Sequence, residues 1–127
     1  MKNKYIDLIE QTFEFPQDEF SVVDNELNFH EVPLMDIIKQ YGTPLYLMDE
    51  DGIRRQCWVY QESFRKHFGA SSRPLYASKA CCFKRIYEIM QEEDMGIDVV
   101  SSGEIYTALQ AGYDLRGAYF HSNNKTD

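Results

Sequence analysis

The sequence predicts an α/β fold in which short apolar strands alternate with amphipathic helices. Four apolar runs have the length of a strand, and the three segments between them carry apolar residues at every third or fourth position. Successive strand–helix–strand units of this kind form right-handed crossovers and a parallel sheet. Both an open, doubly wound sheet and a (β/α)8 barrel satisfy this pattern.

The N-terminal segment, residues 1–43, comes before this alternation. Residues 5–9 predict the start of a short helix, and residues 26–30 alternate polar with apolar side chains, which predicts a short strand. Pro33 suits the first turn of a helix, because its missing N–H has no partner there. The apolar face of that helix is Leu34, Ile37, Ile38 and Tyr41. Gly42 predicts its left-handed cap.

The alternation itself occupies residues 44–127. The predicted strands are short apolar runs at 44–48, 75–78, 96–100 and 117–121. The predicted helices have one apolar face each and lie at 49–68, 83–90 and 104–111. A closed barrel takes about 250 residues. We therefore expect the chain to be the front part of a longer protein, with the first four β/α units of a barrel.

Charge and composition exclude several classes of function. The net charge is −8, with 21 acidic and 13 basic residues, which argues against a nucleic-acid or anionic-membrane surface. No apolar run approaches the roughly 20 residues of a spanning helix, and the charged N-terminus does not fit a signal peptide. A cytoplasmic location is therefore expected. The three cysteines, Cys57, Cys81 and Cys82, show neither a disulfide framework nor the spacing of metal ligands, so no metal is predicted.

Lys79 is the first candidate for chemistry, because it follows the predicted strand 75–78 at the end where barrels and open sheets hold active sites. Ala77 shares its face of the strand and is a candidate for the same pocket. Mostly apolar neighbours predict a desolvated amine, which favours the nucleophile that a Schiff-base lysine needs. The alternative is a strand-end lysine whose ammonium reaches water, and strand position alone favours it.

Three further candidates lie near the ends of later strands. Asp98 interrupts an apolar strand, and a buried carboxylate needs a partner, which a cofactor, Lys79 or a structural cation can supply. Ser101 and Glu104 have the spacing of a capping box, which explains them better than catalysis but leaves both as pocket candidates. His121 ends the fourth predicted strand. Because successive strands end in such side chains, we predict one shared active-site edge.

Four motifs, taken in order and spacing, resemble the N-terminal landmarks of the diaminopimelate decarboxylase family. They are Tyr-Gly-Thr-Pro-Leu-Tyr (41–46), Tyr-Ala-Ser-Lys-Ala (76–80), Asp-Val-Val-Ser-Ser-Gly-Glu (98–104) and His-Ser-Asn-Asn-Lys (121–125). The resemblance covers residues 25–127 and only the front of such an enzyme. It implies an alanine-racemase-like (β/α)8 TIM-type barrel that binds pyridoxal 5′-phosphate, incomplete here, and a C-terminal, mostly β domain with which residues 1–43 pack.

The resemblance also implies roles for individual residues. Lys79 matches the Schiff-base lysine, and Asp98 and His121 line the cofactor end of the barrel. The sequence departs from the family at Cys81, where Asn is usual, and at Ser102 and Ser122, where Gly is usual. Each of these departures adds or changes a side chain near the expected pocket, so they alter its detailed shape.

The implied function is decarboxylation of meso-diaminopimelate to L-lysine, in lysine biosynthesis, by a homodimer. A sister decarboxylase acting on ornithine, arginine or carboxynorspermidine is an alternative, and a non-catalytic truncated homologue is another. In the resembled family the partner of the pyridine nitrogen and the phosphate-binding loop come from later strands. We therefore expect the 127 residues alone to have no decarboxylase activity.

Overall fold

The structure of the protein is a computed structural model that describes residues 19–122. The chain divides into two compact units, one ending at Leu47 and the other beginning at Met48. The predicted helix start at 5–9 and the last three residues of the fourth motif lie outside the described residues. Within 19–122, no helix combines the length and the apolar character that crossing a membrane requires.

The first unit contains a three-stranded antiparallel sheet followed by one helix. Its elements are β1 (Phe20–Val23), β2 (Glu26–Phe29), β3 (Val32–Pro33) and α1 (Leu34–Tyr41). Left-handed backbone at Asp24 and Asn25 makes the tight turn between β1 and β2, a conformation that Asp and Asn adopt more readily than most residues. The predicted strand and helix are thus confirmed, whereas β1 and β3 were not predicted.

The end of α1 is also confirmed. The Gly42 N–H donates to the Ile38 carbonyl oxygen at 2.8 Å, and Gly42 has the positive φ expected of a glycine cap, 79°, but a ψ of −171°, which differs from that of a left-handed αL cap. The start differs slightly, because Pro33 lies one residue before the helix. It pairs there with Asn28 at the end of β3, at an edge position where the missing N–H of proline leaves no sheet bond unmade.

The predicted strand at 44–48 is not formed in the structure. The Thr43–Pro44 peptide is cis, and the segment pairs with no strand among residues 19–122. Tyr46 is 97% exposed. An apolar run becomes a strand only when a second strand pairs with its backbone N–H and C=O groups. The periodicity of the run does not show whether such a second strand is present.

The second unit is a parallel sheet with helices between its strands. Its elements are α2 (Glu50–Phe68), β4 (Leu75–Ala77), α3 (Lys84–Glu92), β5 (Gly96–Val99), α4 (Ser102–Gln110) and β6 (Ala118–Phe120), with 3₁₀ turns at Ser78–Ala80 and Leu115–Gly117. The strand order is β4-β5-β6, and Ala77, Asp98 and Tyr119 stand level across the sheet. The structure confirms an α/β fold with three of the predicted strands and all three helices.

The core lies between β5 and the helices α3 and α4. The fully buried apolar side chains at its centre are Ile86, Tyr87, Ile89, Met90, Ile97, Val99 and Ala108. At the amino end of the sheet, the buried Tyr113 hydroxyl donates to the Met95 carbonyl oxygen at 2.6 Å. This bond holds the segment after α4 against the start of β5. Burial of the hydroxyl raises the pKa of Tyr113.

An ion-pair network joins α2 to α3 on the outer face of this unit. The Glu50 carboxylate accepts from Arg85 Nη2 at 2.6 Å and from Arg54 Nη2 at 2.8 Å. Arg54 also contacts Glu92 and Glu93 at the end of α3. The hydrogen bonds from Arg85 and then from Arg54 lower the pKa of Glu50 from 4.5 to about 2. The network is partly exposed, so solvent screens it.

The Glu50 network predicts a specific response to acid. The pKa of Glu50 in the folded state lies below the ordinary value. The contribution of Glu50 to stability is therefore complete above about pH 4.5 and is lost as the pH falls towards about 2. We expect Glu50→Gln to flatten the decline of Tm across that pH window, as measured by thermal melts followed by circular dichroism. Glu62→Gln, which removes another α2 carboxylate, is the matched control and should keep the wild-type slope. Equal slopes in Glu50→Gln and the wild type contradict the prediction.

Candidate functional site

The candidate site is the edge of the second unit where β4, β5 and β6 end. Because the strands are parallel, their carboxyl ends lie at one edge, which is where α/β folds place their active sites. Ala77 ends β4 level with Asp98 of β5. The His121 N–H donates to the Val99 carbonyl oxygen at 2.9 Å, which continues the pairing of β6 past its last residue. Three of the predicted site residues therefore belong to strand ends at this edge.

Lys79 also lies at this edge, but its local structure differs from the prediction. It occupies the 3₁₀ turn Ser78–Ala80 that follows β4, so the strand alternation ends at Ala77. The Tyr76 hydroxyl donates to the Cys81 carbonyl oxygen at 2.8 Å. This bond brings the chain beyond the turn back to the strand and accounts for the departure from extended backbone.

The Lys79 side chain is exposed. Its ammonium makes no hydrogen bond or ion pair to any residue in the described part of the chain. The expected desolvation by apolar neighbours is therefore wrong for this structure, because the turn carries the side chain out to solvent rather than along the strand. The amine is accessible to a ligand without any movement of the core.

Asp98 is the polar residue within β5. Its Oδ1 atom is buried and has no hydrogen-bond partner among residues 19–122. The pairing with Lys79 that the sequence left open is not made in the described chain. Buried carboxylate oxygens are normally paired, so Asp98 brings an unused acceptor to the edge that carries Lys79.

Ser101 and Glu104 form the predicted capping box. The Glu104 N–H donates to Ser101 Oγ at 3.3 Å, and the Glu104 carboxylate accepts from the Val100 N–H at 2.6 Å. Glu104 is buried, and its carboxylate is used to hold the corner between β5 and α4. The capping interpretation is confirmed, and these two residues fix the backbone directly after the strand that carries Asp98.

Two buried hydroxyl groups at this edge were missed by the sequence reasoning. Ser78 and Tyr87 are both fully buried, and neither hydroxyl has a hydrogen-bond partner of normal geometry among the described residues. Burial raises the pKa of Tyr87, and the nearby Ser78 hydroxyl partly offsets that rise. The available signal was a tyrosine on the otherwise apolar face of α3. The apolar spacing of that face accounts for Tyr87 as a core residue and gives no sign of its buried hydroxyl.

The edge fits a cofactor that carries an aldehyde. A primary amine such as that of Lys79 attacks carbonyl carbon, and the exposed turn leaves it accessible. The unpartnered Oδ1 of Asp98 can accept a hydrogen bond or stabilise a positive charge on the same ligand. Pyridoxal 5′-phosphate carries an aldehyde that suits this amine, so the residues present fit it.

Comparisons with known proteins agree with this assignment. The family model for the pyridoxal-dependent decarboxylases, pyridoxal binding domain, matches residues 50–127. The diaminopimelate decarboxylase of Synechocystis sp. is 39% identical over 98 residues, which are 71% of this chain and 21% of the relative. That of Staphylococcus aureus is 41% identical over 103 residues, which are 81% of this chain and 24% of the relative.

Solved structures give the same result. The crystal structure of diaminopimelate decarboxylase from M. jannaschii in complex with L-lysine matches with a TM-score of 0.73 and 26% identity, covering 86% of this chain and 26% of that one. A structure of AQ1208 from Aquifex aeolicus matches with a TM-score of 0.74 and 28% identity. The chain thus spans about a fifth to a quarter of the length of the curated relatives that it matches.

The capping box yields a stability prediction. We expect Ser101→Ala to lower the free energy of unfolding by about 1 kcal/mol and Glu104→Ala to lower it by about 1–3 kcal/mol, since the latter leaves the Val100 N–H without its acceptor. Urea unfolding followed by circular dichroism measures both changes. The adjacent Ser102→Ala removes an exposed serine that plays no part in the box and should cause little change. A loss in Ser102→Ala equal to that in Ser101→Ala contradicts the prediction.

Proposed function

The chain belongs to the family of pyridoxal-dependent decarboxylases through its pyridoxal-binding domain, and from that membership we propose that it is part of an enzyme that decarboxylates meso-diaminopimelate to L-lysine. The relatives that are 39% and 41% identical carry the name diaminopimelate decarboxylase. The observation that carries the proposal is an exposed lysine, Lys79, at the same carboxyl edge of the sheet as the unpartnered carboxylate oxygen of Asp98.

We propose that the second unit is the first part of a (β/α)8 barrel. β4 and β6 are the outer strands of the described sheet, and an outer strand needs a neighbour to complete its hydrogen bonds. An apolar groove between α2 and β4, lined by residues that include Tyr60, Phe64, Leu75 and Met95, supports a further strand on that side. We assign residues 44–127 to this incomplete barrel.

The remaining parts of the proposal rest on the resemblance in the four motifs. Residues 1–43 are assigned to pack with a mostly β domain rather than with the barrel. The enzyme is proposed to act on an amino-acid substrate as a cytoplasmic homodimer.

Lys79 has the central role in the proposed mechanism. Lys79 would hold the cofactor through Nζ, the nucleophilic atom that a primary amine offers to an aldehyde. Pyridoxal 5′-phosphate, when bound, supplies the electron sink for the electrons that remain when carbon dioxide leaves. The same amine would also be a group that can move a proton at this edge.

Asp98 and His121 are proposed to orient the cofactor. The Asp98 carboxylate accepts a hydrogen bond through its free oxygen, and its charge stabilises a nearby positive group. His121 is held at the strand end by its own N–H bond to Val99. Ala77 leaves room beside the turn, because its side chain is a single methyl group. Ser101 and Glu104 act indirectly, since their capping box fixes the corner after Asp98.

The proposed role of Lys79 is tested by cofactor binding. We expect the chain to develop the visible absorbance of a lysine-linked cofactor when it is titrated with pyridoxal 5′-phosphate, and Lys79→Ala to lose that band. Borohydride reduction and peptide mass spectrometry should then locate the added mass at Lys79. Lys84→Ala removes a neighbouring exposed lysine and should keep the band. Retention of the band in Lys79→Ala, or its loss in Lys84→Ala alone, contradicts the assignment.

The proposed substrate is tested separately in the full-length protein that carries this chain. We expect lysine formation from meso-diaminopimelate, measured by chromatography, and little turnover of ornithine or arginine. Lys79→Ala should abolish the activity. Preferential turnover of ornithine or arginine overturns the substrate while leaving the cofactor assignment intact.

A further inference from the structure

A hydrogen bond from the end of β4 closes the segment that carries Lys79. The Tyr76 hydroxyl donates to the Cys81 carbonyl oxygen at 2.8 Å, which is an ordinary length for an O–H···O hydrogen bond. Tyr76 comes three residues before Lys79, and Cys81 comes two residues after it. The bond therefore joins the two sides of the segment that presents the amine.

Tyr76 is held in place by the sheet and the core. Its backbone stands level with Ile97 of β5, whose side chain is completely buried. Its ring packs against the apolar core of the second unit. The donating hydroxyl thus extends from a fixed base, and it fixes the Cys81 carbonyl relative to the sheet.

The rest of the segment is anchored around Lys79 rather than through it. Ser78, the residue before it, is fully buried. The helix α3 begins soon after Cys81, and its inner face lies in the same core. The Lys79 side chain itself is exposed, so no packing fixes it, and the backbone on its two sides sets where the amine can reach.

The Tyr76 hydroxyl also keeps its proton over a wide range of pH. Burial raises the pKa of Tyr76 to about 12. A protonated phenol is a hydrogen-bond donor, whereas the ionised form can only accept. The bond to Cys81 therefore survives well above neutral pH.

We propose that Tyr76 is a positioning residue for Lys79, with its hydrogen bond to the Cys81 carbonyl oxygen holding the turn in the form that presents the amine at the carboxyl edge. This inference rests on the proposed role of Lys79. Tyr76 does not touch the cofactor in this account. Without the bond the turn can adopt other forms, and the apparent affinity for the cofactor falls with the fraction of molecules that present the amine correctly.

A purely structural role for Tyr76 predicts a different result. The bond would then add to the stability of the fold, as an ordinary intramolecular hydrogen bond does, with no specific effect at Lys79. Tyr113 provides the comparison. Its hydroxyl also donates to a backbone carbonyl oxygen, that of Met95 at 2.6 Å, but at the amino end of the sheet.

The test compares Tyr76→Phe with Tyr113→Phe in the full-length protein that carries this chain. Each variant keeps its aromatic ring and loses a hydroxyl that donates to a backbone carbonyl. Thermal melts followed by circular dichroism give Tm, and titration of the visible absorbance gives the affinity for pyridoxal 5′-phosphate. We expect both variants to have a lower Tm. Only Tyr76→Phe should bind the cofactor more weakly, by about 5- to 10-fold, the factor that corresponds to one hydrogen bond.

A second measurement follows the amine itself. Brief treatment with pyridoxal 5′-phosphate and borohydride labels accessible lysines, and peptide mass spectrometry gives the ratio of label at Lys79 to label at Lys84. Lys84 is exposed at the start of α3, outside the segment that the Tyr76 bond closes. We expect Tyr76→Phe to lower this ratio and Tyr113→Phe to leave it at the wild-type value.

The outcomes separate the inference from the proposed function. A wild-type affinity or a wild-type labelling ratio in Tyr76→Phe overturns the inference and leaves the role of Lys79 intact. An equal loss of affinity in both variants also overturns it, because that pattern reports a general loss of stability, as does loss of the folded circular dichroism signal in Tyr76→Phe. A wild-type protein that shows no preferential labelling of Lys79 overturns the role of Lys79, and the inference with it.

Discussion

The parallel pairing of β5 with both of its neighbours is the constraint on which the rest of the second unit depends. It sets Ala77, Asp98 and Tyr119 level with one another, and so brings the ends of three separate chain segments to one edge. The pairing is held by burial, because Ile97 and Val99 of β5 are almost completely enclosed by the helices. A shift of one residue exchanges the buried and exposed faces of the strand, which would place Asp98 where Ile97 or Val99 now packs.

The two ends of this sheet differ in how their polar groups are satisfied. At the amino end, the Tyr113 hydroxyl binds the Met95 carbonyl oxygen, and the Gly96 N–H binds the Pro74 carbonyl oxygen. At the carboxyl end, buried oxygens of Ser78, Tyr87 and Asp98 are left without partners in the described chain. Satisfied groups stabilise a fold, whereas unsatisfied ones raise its energy until a ligand or a movement engages them. The difference matches the usual division of α/β folds into a stabilising end and a reactive end.

Sequence reasoning succeeded where structure depends on nearby residues. The three helices of the second unit follow from apolar spacing, and the capping box follows from Ser101 and Glu104 alone. It failed where structure depends on distant partners. The run at 44–48 has the composition of a strand but no paired neighbour in the structure. The turn at Lys79 is spanned by the hydrogen bond from Tyr76 to Cys81, and no periodic pattern encodes such a bond. The apolar spacing of α3 also gives no sign of the Tyr87 hydroxyl, because the aromatic ring alone fits that spacing.

The exposure of Lys79 changes the physical basis of its proposed role. The sequence predicts a lysine enclosed by apolar neighbours, whereas the structure leaves the Lys79 side chain accessible to solvent. In the proposed site, what sets Lys79 apart from other exposed lysines is therefore its position in the fold. The 3₁₀ turn gives that placement, since Ser78 is enclosed on one side of it and Asp98 brings an unpaired carboxylate to the same edge. Lys84, five residues away on the surface of α3, is also exposed but pairs with Glu88 at 3.7 Å. In the proposed site, position in the fold is therefore the property that distinguishes Lys79 from Lys84.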